Sequence, residues 1–258
     1  MSLLKRYSCC GALACLLAGG AYAQVTSINS VAVTKHAYND VPSATTTVIN
    51  SYPSVLAVNE FGVSAPAPAF ANRDVWQFSA NGTSPYQFQP NDYFVASMDL
   101  TLVGSPITPR KEAGWLFSTT SSGDIQFIVD TDGHEVVQFG GISFYSFSAN
   151  NIVSYNSGQT IHLGLSYFQD ASGKNALQFS ANGNLSPVFE FGPTVGSHAL
   201  DIGTGSTLGG YLQVDSDPAN PANGGTALFQ NMTITPAPEP SVLALLVLGV
   251  PLLFRRRS

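Results

Sequence analysis

Two stretches of the chain alternate small or polar residues with apolar ones at a period of two. Residues 95–103 read Val-Ala-Ser-Met-Asp-Leu-Thr-Leu-Val, and Ile161, Leu163, Leu165 and Tyr167 are spaced by His162, Gly164 and Ser166. Successive strand side chains point to opposite faces, so both patterns predict strands buried on one side. Apolar runs at 46–50, 75–80, 115–119, 125–129, 136–139, 142–147, 176–181, 188–191, 208–214 and 227–235 predict more strands, and no amphipathic helix is expected between 24 and 237. Turn signals separate the runs: Asn81-Gly82, Ser122-Gly123, Asp132-Gly133, Ser172-Gly173, Asn182-Gly183 and Asn223-Gly224-Gly225. About a dozen short antiparallel strands make an all-β, two-sheet sandwich the expected architecture. Residues 74–235 are expected to form its body, and 24–73 an extended segment supplying its first strand or strands with irregular connections. Residues 215–225, with Pro218 and Pro221, read as a protruding loop, and 236–258 as linker and tail.

The two ends depart from this pattern. Lys5 and Arg6 precede an apolar stretch from 9 to 17, and Ala21-Tyr22-Ala23 supplies a small-x-small cleavage site before Gln24, so 1–23 reads as a secretory signal peptide. A rival reading makes Cys15 a lipidated residue, but cleavage there would leave almost no apolar stretch. At the other end Pro238-Glu239-Pro240 precedes an uncharged run from 242 to 254, then Arg255, Arg256 and Arg257. A helix over that run reaches roughly 20 Å, short of a ~30 Å hydrocarbon core, which suits transient residence better than durable anchoring. The arginines hold the C-terminus on the cytoplasmic side, and the prolines keep the preceding segment extended. A buried core helix is the competing reading; a run apolar on every side and closed by three charges argues against it.

Cys9, Cys10 and Cys15 all fall in the leader, so the exported chain is expected to carry no thiol or disulfide. Between 24 and 237 five basic residues face fifteen acidic ones, a formal net charge of −10. Phosphate backbones need clustered Lys and Arg, so nucleic acid is not an expected partner.

Residues 238–258 resemble a PEP-CTERM domain, the sorting tail of exopolysaccharide-associated exported proteins of Gram-negative bacteria: Pro238, Glu239, Pro240, the apolar run and Arg255–Arg257 match it in order and spacing. The resemblance implies an exosortase as processing partner, cleavage near Glu239, transient residence in the inner membrane, and delivery to the cell surface or matrix. From 92 to 235 the order of features resembles the concanavalin A-like lectin/glucanase jelly roll that includes laminin-G-like modules. It is carried by the strand at 93–103, Gly114-Trp115-Leu116-Phe117-Ser118, the hairpin 124–139, and the pair 160–168 and 175–180. It implies a two-sheet jelly-roll sandwich and a glycan partner.

The candidate chemistry is sparse. Glycoside hydrolases of that fold resemblance carry paired carboxylates on one strand; the nearest sequence here, Asp130-Thr131-Asp132-Gly133-His134-Glu135, reads as a hairpin tip. Lyases of the fold use His, Tyr, Arg and Gln on a concave sheet; His162 and Tyr167 qualify by type, with no Arg nearby in sequence. Asp130, Asp132 and Glu135 are oxygen donors that fit a fragment of a calcium loop, and Asp215 with Asp217 a second; a type I turn with Gly133 left-handed explains the first equally well. No other cofactor is expected, since His36, His134, His162 and His198 have no ligand spacing for zinc. Trp76 and Trp115, the only tryptophans, are the candidates for stacking on a sugar ring; Trp115 reads more as core, and Trp76 is a slightly better surface candidate, yet Val75 and Phe78 beside it still favour packing. The expected role is non-catalytic attachment to exopolysaccharide or biofilm matrix; the alternative is a glycan-degrading hydrolase or lyase on the same fold.

Overall fold

The computed structural model describes residues 25–192 and 200–237. The expected signal peptide, the expected sorting tail and His198 lie outside them. A 3-10 turn at Val25–Ser27 leads into fifteen strands: β1 Ser30–Asn39, β2 Thr45–Ser51, β3 Val55–Phe61, β4 Ala71–Ser79, β5 Phe94–Ser105, β6 Lys111–Thr119, β7 Gly123–Asp130, β8 Val136–Gly140, β9 Tyr145–Ser146, β10 Thr160–Gln169, β11 Asn175–Ala181, β12 Asn184–Leu185, β13 Phe189–Glu190, β14 Thr207–Asp215 and β15 Gly224–Pro236.

They form the expected two-sheet antiparallel sandwich of jelly-roll type. Sheet A runs β1-β4-β14-β6-β7-β8-β9, and sheet B runs β12-β11-β10-β5-β15-β3-β2 with β13 paired to β11. Alternation decides which side chains meet between the sheets. On β4, Trp76 and Phe78 point inward with Trp115 and Phe117 of β6 and Phe127 of β7; β5 and β10 answer with Phe94, Met98, Leu100, Leu163, Leu165 and Tyr167. Trp76 fits because its cross-strand partner is Gly210, where a Cβ would stand 2.8 Å from the indole nitrogen.

Three local readings are revised. Residues 30–61 are three complete strands contributing to both sheets: β2 covers the expected run at 46–50, and β1 and β3 stand where irregular connections are expected. The expected strand 142–147 shrinks to Tyr145–Ser146, because Gly140 and Gly141 take φ of 80° and 31° and turn the chain out of β8. The segment after β14 is tied down rather than protruding: Asn223 is fully buried, and its amide donates to the Val63 and Asp215 carbonyls at 2.7 and 2.8 Å. The Asn182-Gly183 hairpin is as expected, with φ of 49° and 81° joining β11 to β12 in two residues.

Candidate functional site

The outer face of sheet A, turned away from the core, gathers polar side chains in register. Gln213 pairs with Arg73 on one side and Glu112 on the other, and Glu112 pairs with Asp130, so four strands place these residues in one row. The next row is Val75, Tyr211, Gly114, Ile128 and Val137. Leu116, Ile128, Val137 and Tyr211 cluster there and are buried although they face away from the core.

Tyr211 is the hub. The Arg73 guanidinium carbon lies 4.3 Å from its ring centroid, a cation–π contact. Its hydroxyl is 2.8 Å from Glu112 Oε1 and 2.7 Å from the Gln126 carboxamide oxygen, and its one proton serves one of them at a time. Arg73 Nε and Nη2 donate to Gln213 Oε1 at 2.9 and 2.6 Å. Burial first, then Glu112, pushes the phenol well above the ordinary tyrosine range, so it holds its proton at neutral pH.

At one end of the row Arg110 collects three acids: Nε to Glu112 Oε2 at 3.0 Å, and Nη1 to Asp130 Oδ2 at 2.9 Å and to Glu135 Oε2 at 3.1 Å. The Asp130 contact lacks hydrogen-bond geometry and is Coulombic. The other Asp130 oxygen accepts the backbone N–H groups of Gly133 and Glu135, both at 3.0 Å. The calcium reading of Asp130, Asp132 and Glu135 therefore gives way to an internal cation, Arg110, with Asp132 exposed and outside the cluster. The left-handed residue of that turn is His134, at φ 56°, not Gly133; at Gly133 a Cβ would come within 2.8 Å of Asp130 Oδ2. Beside it Gly133, His134, Glu135, Ser146, Ser148, Ala149 and Ser154 line an open depression of about 360 Å³.

Trp76 and Trp115 are each 0% exposed with centroids 5.9 Å apart, so neither offers a face to a sugar. His162 and Tyr167 point to opposite sides of β10. His162 is exposed and 2.8 Å from Asp99, whereas Tyr167 is buried and donates to the Pro90 carbonyl at 2.6 Å. Asp215 and Asp217 accept from Gln213 and from the Ala219 N–H, and bring negative charge toward Lys111. A second polar constellation, absent from the sequence reading, lies between the sheets: His36, Thr46, Glu60, Asn72 and Asp74.

Lys111 is fully buried and donates to the Pro109 carbonyl at 2.6 Å; burial lowers its pKa to about 8 despite nearby Asp215, Asp217 and Asp132. The unfolded chain then holds more protons between about pH 8 and 10.4, so this group makes stability rise with pH across that window. Lys111→Met is expected to flatten that rise and to raise stability at pH 7 by roughly 2–3 kcal/mol. Denaturant titrations of both proteins at pH 7 and 10 check it; parallel shifts in the two would contradict it.

No family model and no curated protein sequence match this chain. Among solved structures it is similar to the Emp47p carbohydrate recognition domain at 12% identity, over 81% of this chain and 90% of that one, with a TM-score of 0.45. The carbohydrate-binding module CBM66 from Bacillus subtilis aligns at 14% identity over 80% and 97%, with a TM-score of 0.43. An alginate lyase from Corynebacterium sp. aligns at 11% identity over 81% and 94%, with a TM-score of 0.48. These likenesses assign neither a ligand nor a reaction to any residue of this chain.

Proposed function

We propose that this chain is an exported, exosortase-processed β-sandwich of a Gram-negative bacterium that acts without catalysis at the cell surface or in an exopolysaccharide matrix, contacting a neutral glycan through the outer face of sheet A. The supporting observation is the row Arg73, Gln213, Glu112 and Asp130, with Gln126 on the same face of β7. It sets a guanidinium and carboxamides beside two carboxylates on a face turned away from the core, the donor and acceptor types that hydroxyl recognition uses. Charge selects the glycan class. Arg73 and Arg110 are the only arginines between 24 and 237, both are answered by acids within 4 Å, and the body carries −10, so a polyanion would be repelled. Export is supported by the sequence of the two ends.

The lyase alternative has one observation in its favour: Arg73, Gln126, Tyr211 and Gln213 share this face. Against it, general acid–base work needs a proton carrier within reach of substrate and near neutral in pKa. Tyr211 is 0% exposed under Arg73 and holds its proton tightly. Among the described residues no histidine lies on these strands' outer face.

A glycan array on the purified mature chain tests the proposal. Binding to neutral polysaccharide is expected, and Arg73→Gln should weaken it about tenfold, because a charged hydrogen-bond donor is worth about 1.5–3 kcal/mol. Recognition confined to acidic glycans, or undiminished in Arg73→Gln, would overturn it.

A further inference from the structure

We propose that His36, Glu60 and Asp74 bind a divalent transition-metal cation of the zinc class, with the Thr46 hydroxyl at the fourth corner, and that this ion ties the two sheets together at the N-terminal edge of the sandwich.

The strand periods put acids where a core residue belongs. Glu60 continues the inward series of Leu56 and Val58 on β3, and Asp74 shares the inward parity of Trp76 and Phe78 on β4; both acids are 1% exposed. A buried carboxylate is costly unless a cation, a proton or enough N–H and O–H donors answer it. The donors here fall short. Thr46 Oγ1 contacts Glu60 Oε2 and stands 3.1 and 3.3 Å from the two Asp74 oxygens and 2.8 Å from His36 Nε2, yet it has one proton. One hydroxyl proton cannot answer two buried carboxylates, so the pair is completed either by a second proton shared between Glu60 and Asp74 or by a cation. A cation among these oxygens and the His36 nitrogen would answer both acids at once.

The geometry suits a small tetrahedral ion. One ligand atom from each of His36, Glu60 and Asp74 lies within 4.8 Å of the other two. His36 Nε2 is 3.2 Å from Glu60 Oε1, and ligands at about 2.0–2.1 Å from a tetrahedral zinc sit about 3.3 Å apart. One imidazole, two carboxylates and a hydroxyl are a borderline nitrogen–oxygen set, too few and too nitrogen-rich for calcium. The supporting contacts hold the ligands in place. Asn72 Nδ2 donates to Glu60 Oε1 at 2.8 Å and to the Val41 carbonyl at 3.0 Å, and the His36 backbone N–H donates to Asp74 Oδ1 at 2.8 Å. His36, with a side chain 22% exposed, provides the entry path. Because β1 and β4 belong to sheet A and β2 and β3 to sheet B, one ion would join both sheets in a chain whose cysteines all lie in the leader.

The test uses the full chain stripped with a chelator and titrated with Zn²⁺, Ca²⁺ or Mg²⁺, reading heat of binding and thermal midpoint. Zn²⁺ is expected to bind one per chain and raise the midpoint by several degrees, while Ca²⁺ and Mg²⁺ do neither. Co²⁺ in its place should give the visible absorption of a tetrahedral site. His36→Gln and Asp74→Asn should each weaken Zn²⁺ binding at least tenfold while Arg73→Gln leaves it unchanged, so the result is independent of glycan recognition. Should a ligand variant fail to fold, metal analysis of the untreated wild-type chain decides. No stoichiometric zinc-class ion, or Zn²⁺ affinity that survives both ligand substitutions, would overturn the proposal.

Discussion

Trp76→Ala is expected to cost about 4 kcal/mol of folding stability and to lower the thermal midpoint by about 8–16 °C. The indole is fully enclosed, with ring centroids 5.4 Å from Phe78, 5.9 Å from Trp115 and 5.4 Å from Phe229, so truncation empties the point where β4 of sheet A meets β15 of sheet B. The surroundings are held by hydrogen-bonded strands and cannot collapse to refill the cavity. Trp76→Phe should cost much less, because it keeps most of the apolar volume and removes an indole N–H that is buried without an acceptor. Calorimetry of the three proteins checks the order. Glycan affinity measured on the folded fraction should not change, whereas an unchanged midpoint with lost glycan binding would restore Trp76 as a stacking residue.

The second large effect concerns the tail. On the proposed export route, replacing Arg255, Arg256 and Arg257 together by Ala, or Glu239 by Ala, is expected to abolish C-terminal maturation. Three cations after a run too short to span comfortably are what retain the segment in the bilayer, and their loss lets it slip through before cleavage. Intact-mass analysis of surface-associated protein should show truncation near residues 238–240 in the wild type and no such species in either variant. An unaltered C-terminus in wild-type surface protein would contradict the route.

The sandwich was legible where sheet B turns a polar face to solvent. Along β5 and β10 the outward Ser97, Asp99, Thr101, His162 and Ser166 mark the period against buried neighbours. Sheet A blurs it, because its outward Val75, Leu116, Ile128 and Val137 are apolar as well, and β6 is buried along most of its length. That is why Trp76, between Val75 and Gln77, carries a surface signal beside the packing that Val75 and Phe78 favour, and packing is what the structure shows. β1 escaped notice for another reason. Between Thr34 and Tyr38 its register slips in a bulge, with His36 at φ 50°, so the alternation that begins at Val31 breaks off. The candidate sites were hidden by distance along the chain. Arg73, Glu112, Gln126 and Tyr211 come from four strands, and His36, Glu60 and Asp74 from three; pairing of those strands creates the adjacency. One signal was readable in retrospect: Glu60 and Asp74 occupy inward positions of apolar strands.

Whether the face of sheet A binds or cuts is decided by incubating the purified chain at micromolar concentration with the polysaccharides it retains, and following reducing ends and unsaturated products over time. A locked, fully protonated Tyr211 beneath Arg73 calls for retention with no product above the buffer control. Product that grows with time and disappears in Tyr211→Phe would contradict the account and make the face an active site.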